Sequence, residues 1–366
     1  MAYKIGETAV LIESSGQSVL IIDKLDFGAD GTDSGSDFVT TAGGAIPSTF
    51  TLSDNFVFNY FRSPHQGASA GFMAGGAGGS TNKQGLDTFP FASDANATAR
   101  DDTSSIERLR AGGNSSTTHG YVVGGNPGFV DTIFKFPFSG TGSYDATDVG
   151  NLTEGRQRAV GSSSLTHGYA ASGAAPASSN IIDKFAFASD GDATDVGDLT
   201  EGKQTAAGQS SQVNGYVSGG NMPSISPTTN EIEKYPFASD ANGTDVGDIT
   251  ANRCKMSGTN SESRGYVQGG NTSSPNNTPI LNIIDKFPFS TDANSTDVGD
   301  IISSRWDTTG VSSATHGYAV GGTTSAPGGN PGRTNIIEKY SFDTDGNSTD
   351  VGDLTETNYQ SSPAQV

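Results

Sequence analysis

"NIIDKFPFSTDANSTDVGDI", residues 282–301, sets an apolar run with two phenylalanines against a loop of small and acidic residues, then a brief ending of valine, glycine and aspartate. The chain writes nearly the same phrase as "EIEKYPFASDANGTDVGDI" at 231–249 and as "NIIEKYSFDTDGNSTDVGDL" at 335–354. Repetition over that length marks a structural unit too small to bury its apolar face alone, so that neighbouring copies must stack. A second marker precedes the phrase: glycine, aromatic, two residues and usually a glycine pair. It reads "GFMAGG" at 71, "GYVVGG" at 120, "GYAASG" at 168, "GYVSGG" at 215, "GYVQGG" at 265 and "GYAVGG" at 317, with spacings of 47 to 52 residues.

Each unit reads as four short strands. The first is small and polar ("AAGQSSQV", 206–213), the second is Gly-Tyr-x-x-Gly-Gly, the third carries Ile, Phe and Tyr, and the fourth is the brief "ATDVGDL" (193–199). No window carries a helical period. Four strands per unit of ~50 residues predict an all-β fold of the β-propeller type, each unit a blade around a central axis. Small residues such as Ala206, Ala207 and Gly208 suit the crowded strand nearest that axis. The second-strand tyrosines and third-strand phenylalanine pairs would fill the space between blades. Pro90, Pro137, Pro236 and Pro288 recur in the third strand, where a missing N–H requires a bulge or an unpaired position.

One more third-strand phrase, "IIDKLDF" at 21–27, lies upstream, and Tyr3 precedes Phe27 by the same 24 residues that separate Tyr318 from Phe342. Counting "AYKIGE" as a worn first marker predicts seven blades. The chain would then start and stop partway through a unit, with one blade closed by N- and C-terminal strands together, each protecting the other's edge. The expectation is a single domain over 1–366, with an insertion at 39–64 whose Phe56, Phe58, Tyr60 and Phe61 form a candidate contact surface. In such a blade the connections from strand two to three share a face with the blade crossovers. They vary in length, so that face is the expected site of ligand or partner contact.

Composition excludes several classes. Charged residues make up 16% and glycine contributes 50 positions, poor material for helices, while 33% apolar content still supports a core. A formal net charge of −20 repels phosphate backbones and anionic membranes, so neither nucleic acid nor membrane insertion is expected. Cys254, the sole cysteine, excludes an intrachain disulfide and a cysteine-built zinc site. "MAYKIGETAV" lacks the basic and apolar regions of a signal peptide, which predicts synthesis in a cytoplasm.

The acidic loops offer the best candidate chemistry. Asp292, Asn294 and Asp297, and equally Asp240, Asn242 and Asp245, present oxygens around a tight turn at a spacing that suits calcium. They lack the central glycine and distant glutamate of a calcium loop of the EF-hand type. The simpler reading is a hairpin turn whose side chains bond their own backbone, with no cofactor. His119, His167 and His316 stand in equivalent "THGY" turns, far apart around an axis. No nucleophile with an adjacent base is recognisable, so no catalytic residue is assigned and no enzyme is expected.

The glycine pairs, the aromatic third strand and a basic residue twelve positions before the unit glycine (Arg108, Arg156, Lys203, Arg253, Arg305) resemble kelch-repeat propellers. The chain departs from kelch units in its fourth strand, where they carry tryptophan; here the one tryptophan is Trp306, elsewhere in its unit. The wording "IIDKFPF…ASDANATDVGDLT" and "STHGYVSGG", assembled from several units, resembles repeat arrays of tail-fibre and other virion proteins of marine bacteriophages, notably those of cyanobacteria. That resemblance implies a non-enzymatic virion protein, a fibre, tail or capsid appendage, contacting other virion proteins and host-surface glycan. The alternatives are a kelch-like protein-binding adaptor and a glycan-active propeller enzyme.

Overall fold

The computed structural model describes residues 67–78, 81–82, 85–100, 106–139, 146–222, 226–272, 279–324 and 332–366, with short strands between 4 and 20. Contacts divide the chain into two compact units, Met1–Arg62 and Ser63–Val366, where the repeat count predicts one domain over 1–366. In the first unit Lys4–Ile5 pairs antiparallel with Thr8–Ala9, and Leu11–Ser14 with Gln17–Leu20. The proposed first third-strand copy at 21–27 and the insertion at 39–64 lie outside the described residues.

The second unit is a β-propeller of six four-stranded antiparallel sheets. Blade 1 takes its inner strand from the C-terminus, Ser362–Gln365, followed outward by Ala70–Ala74, Leu86–Pro90 and Thr98–Arg100. From inner to outer strand, blade 2 runs Gly112–Ser115, His119–Val123, Thr132–Pro137 and Thr147–Asn151, and blade 3 Val160–Ser163, His167–Ala171, Ile181–Ala186 and Thr194–Asp198. Blade 4 runs Ala207–Ser210, Asn214–Met222, Ser226–Pro236 and Thr244–Asp248, and blade 5 Ser257–Asn260, Arg264–Gln268, Ile283–Pro288 and Thr296–Asp300. Blade 6 runs Thr309–Ser312, His316–Val320, Ile336–Ser341 and Thr349–Asp353.

The count of seven is therefore corrected to six. The C-terminal segment does supply a first strand, but its partner is Ala70–Ala74, in the register Ser362↔Ala74 and Gln365↔Gly71, rather than the N-terminus. Six strong glycine markers close on themselves, and Lys4–Ile5 of the worn copy turns back on Thr8–Ala9 instead.

Buried apolar side chains form six clusters among the described residues, each drawing on two neighbouring blades. Alternation along the second strand explains this. Tyr121 and Val123 point toward blade 3, and Val122 between them toward blade 1. Each second-strand tyrosine stacks on the second aromatic of a neighbouring blade's third-strand phrase, as Tyr169 on Phe237 at 4.6 Å and Tyr216 on Phe289 at 4.8 Å between ring centroids.

The glycine before each tyrosine has a specific cause. Gly120 pairs across strands with Phe136, whose ring lies where a Cβ would be, and Gly168 stands likewise under Phe185. A bulge near the middle of the third strand, between Ile284 and Asp285 in blade 5, re-aims the side chains that follow. The recurrent prolines sit after it. Phe138, Phe237 and Phe289 donate their N–H groups back to the turn before the second strand, so Pro137, Pro236 and Pro288 turn their nitrogens the other way. There the outer-strand ladder has already ended, at Lys135, Lys234 and Lys286.

Candidate functional site

The inner strands put Gly113, Gly161, Gly208, Gly258, Gly310 and Pro363 at one level around the axis. A Cβ on Gly161 would overlap the Gly113 carbonyl oxygen, and one on Gly208 would stand 2.6 Å from that of Gly161. Two residues on, backbone N–H groups are tied to the side chain of the next blade in a closed ring. Ser115 donates to Ser163 Oγ at 3.1 Å, Ser163 to Ser210 Oγ at 3.0 Å and Ser210 to Asn260 Oδ1 at 3.2 Å. Asn260 donates to Ser312 Oγ at 2.9 Å, Ser312 to Gln365 Oε1 at 3.0 Å, and Gln365 back to Ser115 Oγ at 3.0 Å. These residues line a polar axial cavity of about 60 Å³, room for a few waters.

At the other end of the inner strands, on the crossover face, one residue per blade enters the strand in the left-handed region. These are Arg110, Arg158, Thr205, Lys255, Asp307 and Gln360, with φ from 53° to 62°. Such a conformation is costly for non-glycine residues and persists where surroundings enforce it. Here a chain of five backbone bonds, running from Arg158 round to Thr205, supports it: Arg158 N–H donates to Arg110 O at 2.5 Å, Lys255 to Thr205 O at 2.7 Å and Asp307 to Lys255 O at 2.8 Å. Gln360 donates to Asp307 O at 3.3 Å and Arg110 to Gln360 O at 3.1 Å.

The side chains of this ring interact. Arg110 Nε donates to Gln360 Oε1 at 3.0 Å, and the Gln360 amide donates to Asp307. Arg158 Nη1 donates to Gln204 Oε1 at 3.0 Å, while its buried Nε has no partner. Lys255 lies 4.4 Å above the Trp306 ring. Burial lowers the Lys255 and Arg158 pKa values, with Arg110 adding to the effect on Arg158. Burial raises that of Asp307, against the opposing pull of Lys255.

The basic residues read from the sequence are buried beside this ring. Arg156 pairs with Asp183, Lys203 with Glu233, Arg253 with Asp285 and Arg305 with Glu338, all without exposed side-chain surface. Burial lowers the guanidinium pKa of Arg156 and Arg253, which Asp183 and Asp285 oppose. Arg253 and Arg305 also donate to the carbonyls of Gly269 and Gly321 in the glycine pairs. Two blades break the pair. In blade 2 Phe134 stands in the acidic position and Arg108 lies over its ring at 5.2 Å. In blade 1 the basic position is Asn358, which donates to Gly75 O at 3.1 Å, while Asp87 accepts from Thr355 Oγ1 at 2.8 Å.

The residues singled out for calcium are engaged between blades. Asp292 pairs with Lys234 and Asp240 with Lys184, each lysine belonging to the preceding blade. Asn294 Oδ1 accepts from Asp248 N–H and Asn242 Oδ1 from Asp198 N–H, both at 3.1 Å. Only Asp297 and Asp245 bond their own backbone, accepting from Gly299 at 3.2 Å and Gly247 at 3.1 Å. Among the described residues no group of three or more histidine, cysteine or acidic side chains is gathered as metal ligands. His119, His167 and His316 each face the threonine hydroxyl of their own turn through Nδ1 at 2.8 Å. Phe56, Phe58, Tyr60 and Phe61 lie outside the described residues.

Sequence reading missed the ring from Arg110 to Gln360, whose members share a backbone conformation and no chemical type. The available signal is position: in blades 2 to 6 each stands ten residues before the unit glycine. The chain matches no protein-family model and no curated protein.

Proposed function

We propose that the chain is a non-enzymatic binding and assembly module of a bacteriophage particle, meeting other virion proteins and the host surface through the crossover face of its propeller. The carrying observation is the contrast between the two faces. On the turn face, repeated histidines, acidic loops and lysines are tied to their own turn or to the next blade. On the crossover face second strands end and third strands begin, at sequence intervals that differ from Val123–Thr132 to Val320–Ile336, around a charged axial mouth. Variable loops on a rigid scaffold are the usual place for recognition. The repeat wording resembles virion arrays, and a strongly acidic, disulfide-free surface suits a particle released into salt water, where charges are screened over ~3–8 Å.

The test is microscopy of purified particles from cells making the chain, labelled with an antibody to it. Label on the particle at a fixed position is expected. Particles free of the chain, by label and by mass spectrometry, would remove the reading. Hydrolysis or oxidation of a surface polysaccharide by the isolated chain would replace it with the enzyme alternative.

A further inference from the structure

We infer that the axial mouth formed by Arg110, Arg158, Thr205, Lys255, Asp307 and Gln360 is a binding site for a compact oxyanion such as sulfate, free or carried on a saccharide. The chain as a whole has a net charge of −20. At this one ring three cations meet one carboxylate, 3 − 1, a formal surplus of two positive charges. Like charges gathered in a partly buried mouth raise one another's cost, and an anion seated among them offsets it. Asp307 is the internal counter-charge, held by the Gln360 amide.

The mouth is preorganised. Its residues sit where inner strands begin, in like backbone conformations joined by five bonds from blade to blade, and Arg110, Gln360 and Asp307 are linked side chain to side chain. Arg110 and Arg158 are braced sideways by Gln157 and Gln204, at 3.3 and 3.0 Å, which holds the guanidinium groups in place. Guanidinium donors in fixed orientation recognise planar or tetrahedral oxyanions. One side chain per blade around an axis whose next levels are lined by glycine suits a small group rather than a chain segment.

This deepens the binding-module reading and rests on it for its biology, but the site is testable on the isolated chain, apart from any particle. The probes are sodium sulfate and one oligosaccharide in sulfated and neutral forms, titrated calorimetrically at low salt. Sulfate and the sulfated sugar are expected to bind and the neutral sugar not. Arg158→Gln should weaken binding about tenfold, while Lys286→Gln, the same charge change at the rim, leaves it unaltered. Asp307→Asn should tighten it about tenfold, an outcome that a misfolded variant cannot mimic. Tighter binding of the sulfated sugar than of free sulfate assigns the oxyanion to a saccharide. Equal affinity assigns it to the free ion, and either result keeps the site. No binding of either probe by the unaltered chain, or equal affinity in all three variants, would overturn it.

Discussion

Neighbouring blades meet differently at the axis and at the rim. At the axis glycines stand where a Cβ would strike the preceding blade's carbonyl, and the Ser115 to Gln365 ring ties each backbone N–H to a side chain of the adjoining blade. At the rim it is made by solvated side chains, Lys184, Lys234, Lys286 and Lys339 reaching Asp240, Asp292, Asp345 and Asp94. Asparagine caps and the outer-strand glycine complete that seam; a Cβ on Gly247 would stand 2.6 Å from Ala293 O. The same repeat thus holds the ring by close backbone fit and buried hydrogen bonds at the axis and by solvated charge at the rim. Substitution should be tolerated least where glycine backbones touch at the axis and most at the rim.

The largest effect is expected at the axis. Gly161→Val puts three carbons where the Gly113 carbonyl already is, and the ring has no free edge toward which a blade could retreat. Destabilisation of about 4 kcal/mol or more is expected. Cys254 reports it. The thiol is fully buried, and burial pushes its pKa up from 9.0 to about 11. That stabilisation is present below pH 9.0 and is lost as pH rises through about 11, so at pH 8 the folded chain holds the thiol protonated and shielded. Alkylation at pH 8 should be slow in the natural chain and rapid in Gly161→Val. Equal protection in both would mean that the axis yields.

Between axis and rim lie the buried pairs, and the broken ones in blades 1 and 2 sharpen the contrast. Asp285→Ala strands a fully buried Arg253 and should cost about 3–5 kcal/mol in chemical denaturation. Asp87→Ala, opposite the neutral Asn358, removes the acceptor of Thr355 Oγ1 and should cost about 1–3 kcal/mol. Equal losses at the two positions would show that charge pairing is not what blade 5 adds.

How much of this was legible follows from which contacts are local. Strand order, the axial small residues and the filling of the space between blades by second-strand tyrosines and third-strand aromatics could be read because each blade repeats them. The blade count could not be read from aromatic spacing alone. Tyr3 and Phe27 keep the interval, but the residue before Tyr3 is Ala2, and the glycine at that position exists to lie under an aromatic ring, as Gly120 does under Phe136. Weighing that glycine above the spacing gives six. The acidic loops read as self-contained turns because one unit's sequence does not name its neighbour's lysine. The axial mouth left no residue signature, since a left-handed conformation usually announces itself through Gly, Asn or Asp, and among its six members only Asp307 is of that kind.

Within the closed side-chain ring the effects should be smaller. Ser163→Ala removes the acceptor of the Ser115 N–H in a buried position and should cost about 1–3 kcal/mol. Ser163→Asn, borrowing the residue that Asn260 uses at the same place, should recover part of that loss in thermal unfolding. Failure of asparagine to rescue would mean that the ring tolerates one acceptor geometry per blade.

The smallest effect is expected at the rim. Asp345 in the Lys286 pair keeps 54% of its side-chain surface exposed, and the lysine 23%, so water screens the attraction and both side chains lose freedom in forming it. Lys286→Ala should cost well under about 1 kcal/mol at low salt, part of it diffuse, since the chain moves from −20 to −21. Raising the salt to about 1 M shortens the screening length to ~3 Å and should erase what remains. A double-mutant cycle with Asp345→Ala separates the pair from the diffuse term, because the long-range contribution cancels in the coupling energy. Coupling above about 2 kcal/mol that survives high salt would place the rim with the buried pairs, and the contrast between axis and rim would fail at its outer end.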